Sequence, residues 1–173
     1  SILIPFIEGT EPNKIPDVRR ECSSKIESSR NTVMDKLKEV GLDKLIPNLK
    51  QPVLGICLGM QLLCENTEEG DVDGLGIIKC NVIKFSDKLK VPQMGWNKVK
   101  KLRTGLFNKI NEGDYMYLVH SYFVPTINET IGQSEYGLTY SVAVQKENFF
   151  GVQFHPEKSS STGSQLLKNF LEL

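Results

Sequence analysis

The chain has 173 residues, 39% of them hydrophobic and 24% charged, and its 21 basic side chains balance 21 acidic ones. That length makes a single domain over 1–173 the expectation, with enough chain for a substantial core. The charge balance gives no electrostatic reason to expect nucleic acid or an anionic membrane as partner, and no apolar run approaches the roughly 20 residues of a membrane helix.

In chain order, ILIP at 2–5 has the composition of a short strand, and the polar, turn-rich segment after it shows no clean period. The start, SILIPFIEGTEPNK, has neither a basic leader nor a long apolar run and does not read as a secretory signal. Val33, Met34, Leu37 and Val40 recur at helical spacing, with Thr32 and Asp35 as a capping pair and Gly41 as the stop. A short turn, LDKLI, ends before Pro47. PVLGIC reads as a buried strand, followed by a helix from Leu58 through about Glu65 and an acidic loop over 65–74. Strands are expected at 76–85, 115–124, 138–145 and 149–154, all rich in β-branched and aromatic residues. A final helix carries Leu166, Leu167, Phe170 and Leu171 as one apolar stripe. This order predicts an α/β sheet with helices on both faces and antiparallel additions at one side.

The four cysteines are Cys22, Cys57, Cys64 and Cys80. None forms a C-x-x-C pair, and with two histidines a structural metal is not expected. A reducing cytoplasm is the better reading of their number than disulfides.

Cys57 stands in GICLG, after a strand-like run and before a helix-like one. One reading is a small buried thiol. The other is a nucleophile on a tight strand-to-helix turn, with glycines relieving the crowding and the helix start favouring a thiolate. Downstream, GVQFHPEKS places His155 at a strand end, Pro156 as the stop and Glu157 two residues on. A histidine so placed can point into a cleft, and the carboxylate can turn back to hold its far ring nitrogen and favour the imidazolium. Each alone is more simply a core histidine or a surface glutamate. Together with the cysteine turn they make a nucleophile, a base and an orienting acid.

GICLGMQ with FHPEKS resembles the class I, triad-type glutamine amidotransferases. VPQMGWN at 91–97 and HSYF at 120–123 narrow the resemblance to the glutaminase subunits of imidazole glycerol phosphate synthase, over about Val33 to the C-terminus. The resemblance implies a three-layer, mostly parallel central sheet. It implies hydrolysis of glutamine to glutamate and ammonia through a thioester on Cys57, with His155 and Glu157 completing the triad and no cofactor or metal. By the same resemblance the Leu58 N–H is an oxyanion donor, and Gln61, His120, Ser121 and Tyr122 bind the substrate. Pro92, Met94 and Trp96 then contact a (βα)8-barrel cyclase in a heterodimer, which uses the ammonia to close an imidazole ring in histidine biosynthesis. The family commonly has histidine where this chain has Gln93.

The resemblance breaks down at the start of the chain. The P-G-V-G-like loop that supplies the family's second oxyanion donor is not found, so residues 1–30 are atypical or incomplete relative to the family. Two alternatives stay open beside the active glutaminase: a catalytically weak subunit that binds and regulates the same partner, and an amidotransferase subunit of another pathway.

Overall fold

The computed structural model describes residues 33–69 and 72–173. The strand expected at 2–5 and the capping residue Thr32 lie outside them. The first described helix, α1, covers 33–39, and Met34 and Leu37 bury its inner face while Val40 is exposed. Gly41 follows with φ 72°, a left-handed value that suits glycine, and leads into the single turn of α2 (Leu42–Leu45). A 3-10 turn, Ile46–Asn48, then carries the chain to β1 (Val53–Ile56).

Helix α3 (Leu58–Leu62) is shorter than its sequence predicts. The carbonyls of Leu62, Leu63 and Cys64 are taken by the N–H groups of Leu75, Ile78 and Gly76, so neighbouring segments draw the chain out of the helix. Residues expected to continue it form β2 (Cys64–Thr67), and β3 (Val72–Asp73) returns antiparallel to it within the expected loop. Next come β4 (Ile78–Lys84) and β5 (Gln93–Lys98). The expected strand at 115–124 is divided into β6 (Tyr115–His120) and β7 (Tyr122–Phe123). Then follow β8 (Thr130–Glu135), β9 (Thr139–Lys146) and β10 (Phe149–Val152), and helix α4 (Ser160–Leu171) closes the chain. In α4, Leu166 and Phe170 are buried, whereas Leu171 is 71% exposed and lies off the stripe assigned to it.

The strands form sheets ordered β1-β10-β9-β8 and β3-β2-β4-β7, with β5 and β6 as a two-stranded ribbon. The α/β class holds. Among the described residues, however, parallel pairing is confined to β1 with β10 and β2 with β4. The rest is antiparallel, and β8, β9 and β10 are joined in succession by short turns, which can only reverse direction. Two apolar clusters form among the described residues. One joins β6, β9 and β10 to α4 through Met116, Leu118, Tyr140, Val152 and Leu166. The other joins α1 and α3 to β2 and β4 through Met34, Met60, Cys64 and Val82.

Candidate active site

Two adjacent strand ends build the site. β1 and β10 run parallel, with Ile56 in register with Val152, and the Cys57 N–H donates to the Val152 carbonyl at 2.7 Å. Cys57 is the first residue past β1, and His155 lies three residues past Val152, so both leave the sheet at its carboxyl edge. Ligand sites of open α/β sheets form along this edge.

Cys57 occupies φ 52°, ψ −104°, a strained conformation for a residue with a Cβ. The turn is possible because β1 and α3 touch backbone to backbone. A Cβ on Gly55 would lie 2.6 Å from the carbonyl carbon of Gly59. This is the strand–elbow–helix arrangement that lifts a nucleophile out of a sheet. Leu58 is the first residue of α3, where helical geometry gives an N–H no intrahelical acceptor. At five residues α3 has a correspondingly small dipole, so the helix would support a thiolate less than the sequence implied.

The thiol is held from two sides. Cys57 Sγ donates to the Val119 carbonyl at 3.8 Å, and Gln153 Nε2 donates to Cys57 Sγ at 3.6 Å. Gln153 is fully buried. Its Oε1 accepts from Gln61 Nε2 at 2.9 Å, and Gln61 also donates to the Tyr122 carbonyl at 3.1 Å. Sequence reasoning passed over Gln153. The available signal was a lone amide between the apolar residues of FFGVQF.

His155 Nδ1 lies 2.8 Å from Glu157 Oε1, as the two-residue spacing predicts, while the Glu157 side chain stays 49% exposed. The histidine backbone is fixed on both sides. Its N–H donates to the Tyr117 carbonyl at 2.9 Å, and its carbonyl accepts from Ser159 Oγ at 2.6 Å. The Ser159 hydroxyl also accepts the Tyr117 N–H. Helix α4 closes on this turn at Gly163, where a Cβ would lie 1.9 Å from the Pro156 carbonyl oxygen. Only glycine permits that approach.

The HSYF segment divides. Ser121 is half-buried, whereas His120 and Tyr122 are buried, as is Gln61. His120 Nδ1 lies 2.8 Å from the Tyr122 carbonyl and Nε2 lies 3.3 Å from the Tyr140 hydroxyl. Burial first, with the nearby His155 charge adding to it, pushes the His120 pKa down to about 4 against the partial support of the Tyr122 carbonyl. A depressed base stays neutral in the fold while the unfolded chain takes its proton near the ordinary 6.5. The stability due to His120 is therefore complete above about pH 6.5 and is lost as the pH falls toward 4, by about 3 kcal/mol in all. Unfolding free energies measured across that window should fall for the wild type. The fall should be smaller in His120→Gln, which lacks the titrating group. Equal slopes would contradict the assignment.

Strands β5 and β6 carry the segment expected at a partner interface. Met94 is 65% exposed, Trp96 52% and Tyr115 50%, and Pro92 is half-buried just before the strand. Trp96 stands opposite Tyr117 and packs edge-on against it at 5.9 Å. Met94, Trp96 and Lys98 thus share the outward side of the ribbon, and Gln93 faces inward. No helix among the described residues is long and apolar enough to cross a membrane.

Comparison with known proteins gives a consistent picture. The family model for class-I glutamine amidotransferases matches residues 32–173. The imidazole glycerol phosphate synthase subunit HisH of Bacteroides thetaiotaomicron is 48% identical over 145 residues, which are 82% of this chain and 74% of that protein. The HisH subunit of Salmonella typhimurium is 54% identical over 143 residues, covering 81% and 73%. Among solved structures, a Thermoplasma acidophilum protein superposes with a TM-score of 0.61 at 21% identity, over 83% of this chain and 66% of that one. A crystal structure of a glutamine amidotransferase gives 0.59 at 15% identity, over 84% and 72%. At those identities the two structures speak to the fold alone.

Proposed function

The chain belongs to the class-I glutamine amidotransferase family, among the HisH subunits of imidazole glycerol phosphate synthase, and on that premise we propose that it hydrolyses glutamine to glutamate and ammonia for histidine biosynthesis. The observation that carries the reading is the delivery of the strained Cys57 elbow and the His155–Glu157 pair to the same edge by neighbouring parallel strands.

Cys57 Sγ bonds to the carboxamide carbon and pushes the carbonyl electrons onto oxygen, where the Leu58 N–H stabilises them. The C–N bond then breaks, and the leaving nitrogen departs as ammonia with the proton that His155 took from the thiol. Glu157 occupies Nδ1, which leaves Nε2 for this transfer. Water, deprotonated by the same nitrogen, attacks the thioester and releases glutamate and the free thiol. Gln61, His120, Ser121 and Tyr122 are assigned to the glutamine-binding wall. Of the four, Ser121 is the least buried, so the others act more through the network behind the site than by broad exposed contact.

The partner is assigned as a (βα)8-barrel cyclase, seated on Pro92, Met94 and Trp96, in a cytoplasmic heterodimer with 1–173 as one amidotransferase domain. An exposed tryptophan beside a methionine and a tyrosine is the composition of an interface anchor. Glutamate release from glutamine, measured for the chain alone and mixed with such a cyclase and its nucleotide substrate, tests both assignments. Release in the mixture is expected. Trp96→Ala should raise the concentration of cyclase needed for it by about 30-fold, without lowering the melting temperature of the isolated chain. A stable complex without turnover would overturn the glutaminase assignment. Melting of the isolated variant at lower temperature would return Trp96 to a structural role.

A further inference from the structure

Two buried polar groups that the steps above leave unused, Gln93 on β5 and Tyr140 on β9, meet His120 at the inward side of the β5–β6 ribbon. Gln93 opens β5 and stands opposite His120 in the register, and both are buried. Tyr140, fully buried on β9 and packed edge-on against Phe85, reaches between them. Its hydroxyl donates to Gln93 Oε1 at 3.0 Å and stands 3.3 Å from His120 Nε2. A carbonyl can only accept, so the 2.8 Å contact with Tyr122 puts the ring proton of His120 on Nδ1 and makes Nε2 an acceptor. Besides its contact with the Ser134 hydroxyl across the β8–β9 pair, the phenol thus has one proton for two acceptors on the ribbon, and the shorter contact goes to Gln93. From the Tyr122 carbonyl the chain of hydrogen bonds continues through Gln61 and Gln153 to Cys57 Sγ. Burial raises the Tyr140 pKa, so the contested proton stays in the network.

We infer that Tyr140 and Gln93 are positioning residues of the glutaminase, Gln93 competing with His120 for the single phenolic proton so that the seating of β5 sets how firmly the groups behind Cys57 are held. The inference rests on the glutaminase reading and on a partner at the outer face of the ribbon. Met94 and Trp96 lie on that face of the same strand whose first residue, Gln93, faces inward, so a partner seated on them bears on the strand that carries the acceptor. With Gln93 drawn away, the proton passes to His120 Nε2. His120, the Tyr122 carbonyl and Gln61 are then fixed together behind the thiol. The buried site offers no bulk water to make up for a lost donor.

The test measures glutamine turnover by the wild type, Gln93→Leu, Tyr140→Phe and the double variant, each alone and saturated with the cyclase and its nucleotide. Gln93→Leu removes the competing acceptor and should raise partner-free turnover, shrinking the stimulation by the partner about 10-fold. Tyr140→Phe removes the proton and keeps the ring. It should lower kcat of the complex about 10-fold and leave KM for glutamine within about twofold. The double variant should behave as Tyr140→Phe, since Gln93 acts only through the phenol. Unchanged stimulation in Gln93→Leu, or additive losses in the double variant, would overturn the inference. Site-resolved alkylation of Cys57 by iodoacetamide in the isolated chain gives a readout independent of turnover. Gln93→Leu should speed it, because the phenolic proton then holds His120 and the donor on Sγ is more firmly held, and leave Cys64 and Cys80 unaffected. If the wild-type complex shows no turnover, the glutaminase reading fails while alkylation still decides the wiring. A Cys57 rate equal to wild type would then sink it.

Discussion

Cys57→Ala is expected to reduce glutamine hydrolysis by at least about 10⁴-fold and to leave both the fold and binding of the cyclase intact. The thiol is the one atom in the scheme with no substitute, because His155 has no proton to take and no thioester can form. The fold should tolerate the change. Alanine adds no bulk to the elbow, and the contacts at Sγ, 3.8 Å to the Val119 carbonyl and 3.6 Å to Gln153 Nε2, are weak sulfur hydrogen bonds. Titration of the variant with cyclase, beside a stopped glutamate assay, separates the outcomes. Residual turnover near wild type would mean that the nucleophile is elsewhere. Loss of binding together with turnover would mean that the elbow is structural.

The elbow was legible in the sequence because its demands are local. A strand that turns at once into a helix forces β1 and α3 into backbone contact, so Gly55 is required, and the cysteine follows at fixed spacing. The His155–Glu157 pair was legible for the same reason, since two residues and a proline set its reach. The remainder of the site depends on long-range register. Gln153, Gln93 and Tyr140 look like ordinary strand residues until β10, β5 and β9 bring them to one place. Strands β5 and β8 went unread because their glycines and polar residues suit a strand only where neighbours bury one face. Helix α3 stops early for a similar reason, as its carbonyls find sheet partners in residues 75–78.

The His155–Glu157 pair carries the second large effect, and two substitutions divide it. His155→Ala removes both proton transfers and should lower kcat by about 10³- to 10⁴-fold. Glu157→Gln keeps the size of the side chain and can still face the ring. It no longer supplies a negative charge to stabilise the imidazolium, and its amide nitrogen can turn to donate to Nδ1 and favour the wrong tautomer. The cost should be smaller than for a buried acid, about 10²-fold, because solvent already reaches nearly half of this carboxylate and screens its charge. The ring should nonetheless stay in place, since the backbone of His155 is pinned by the Tyr117 carbonyl and Ser159 Oγ, neither of which involves Glu157. The loss in Glu157→Gln should therefore fall on kcat, with KM for glutamine little changed. A loss confined to KM would make Glu157 a substrate contact instead of an orienting acid, and full activity in Glu157→Gln would remove it from the triad.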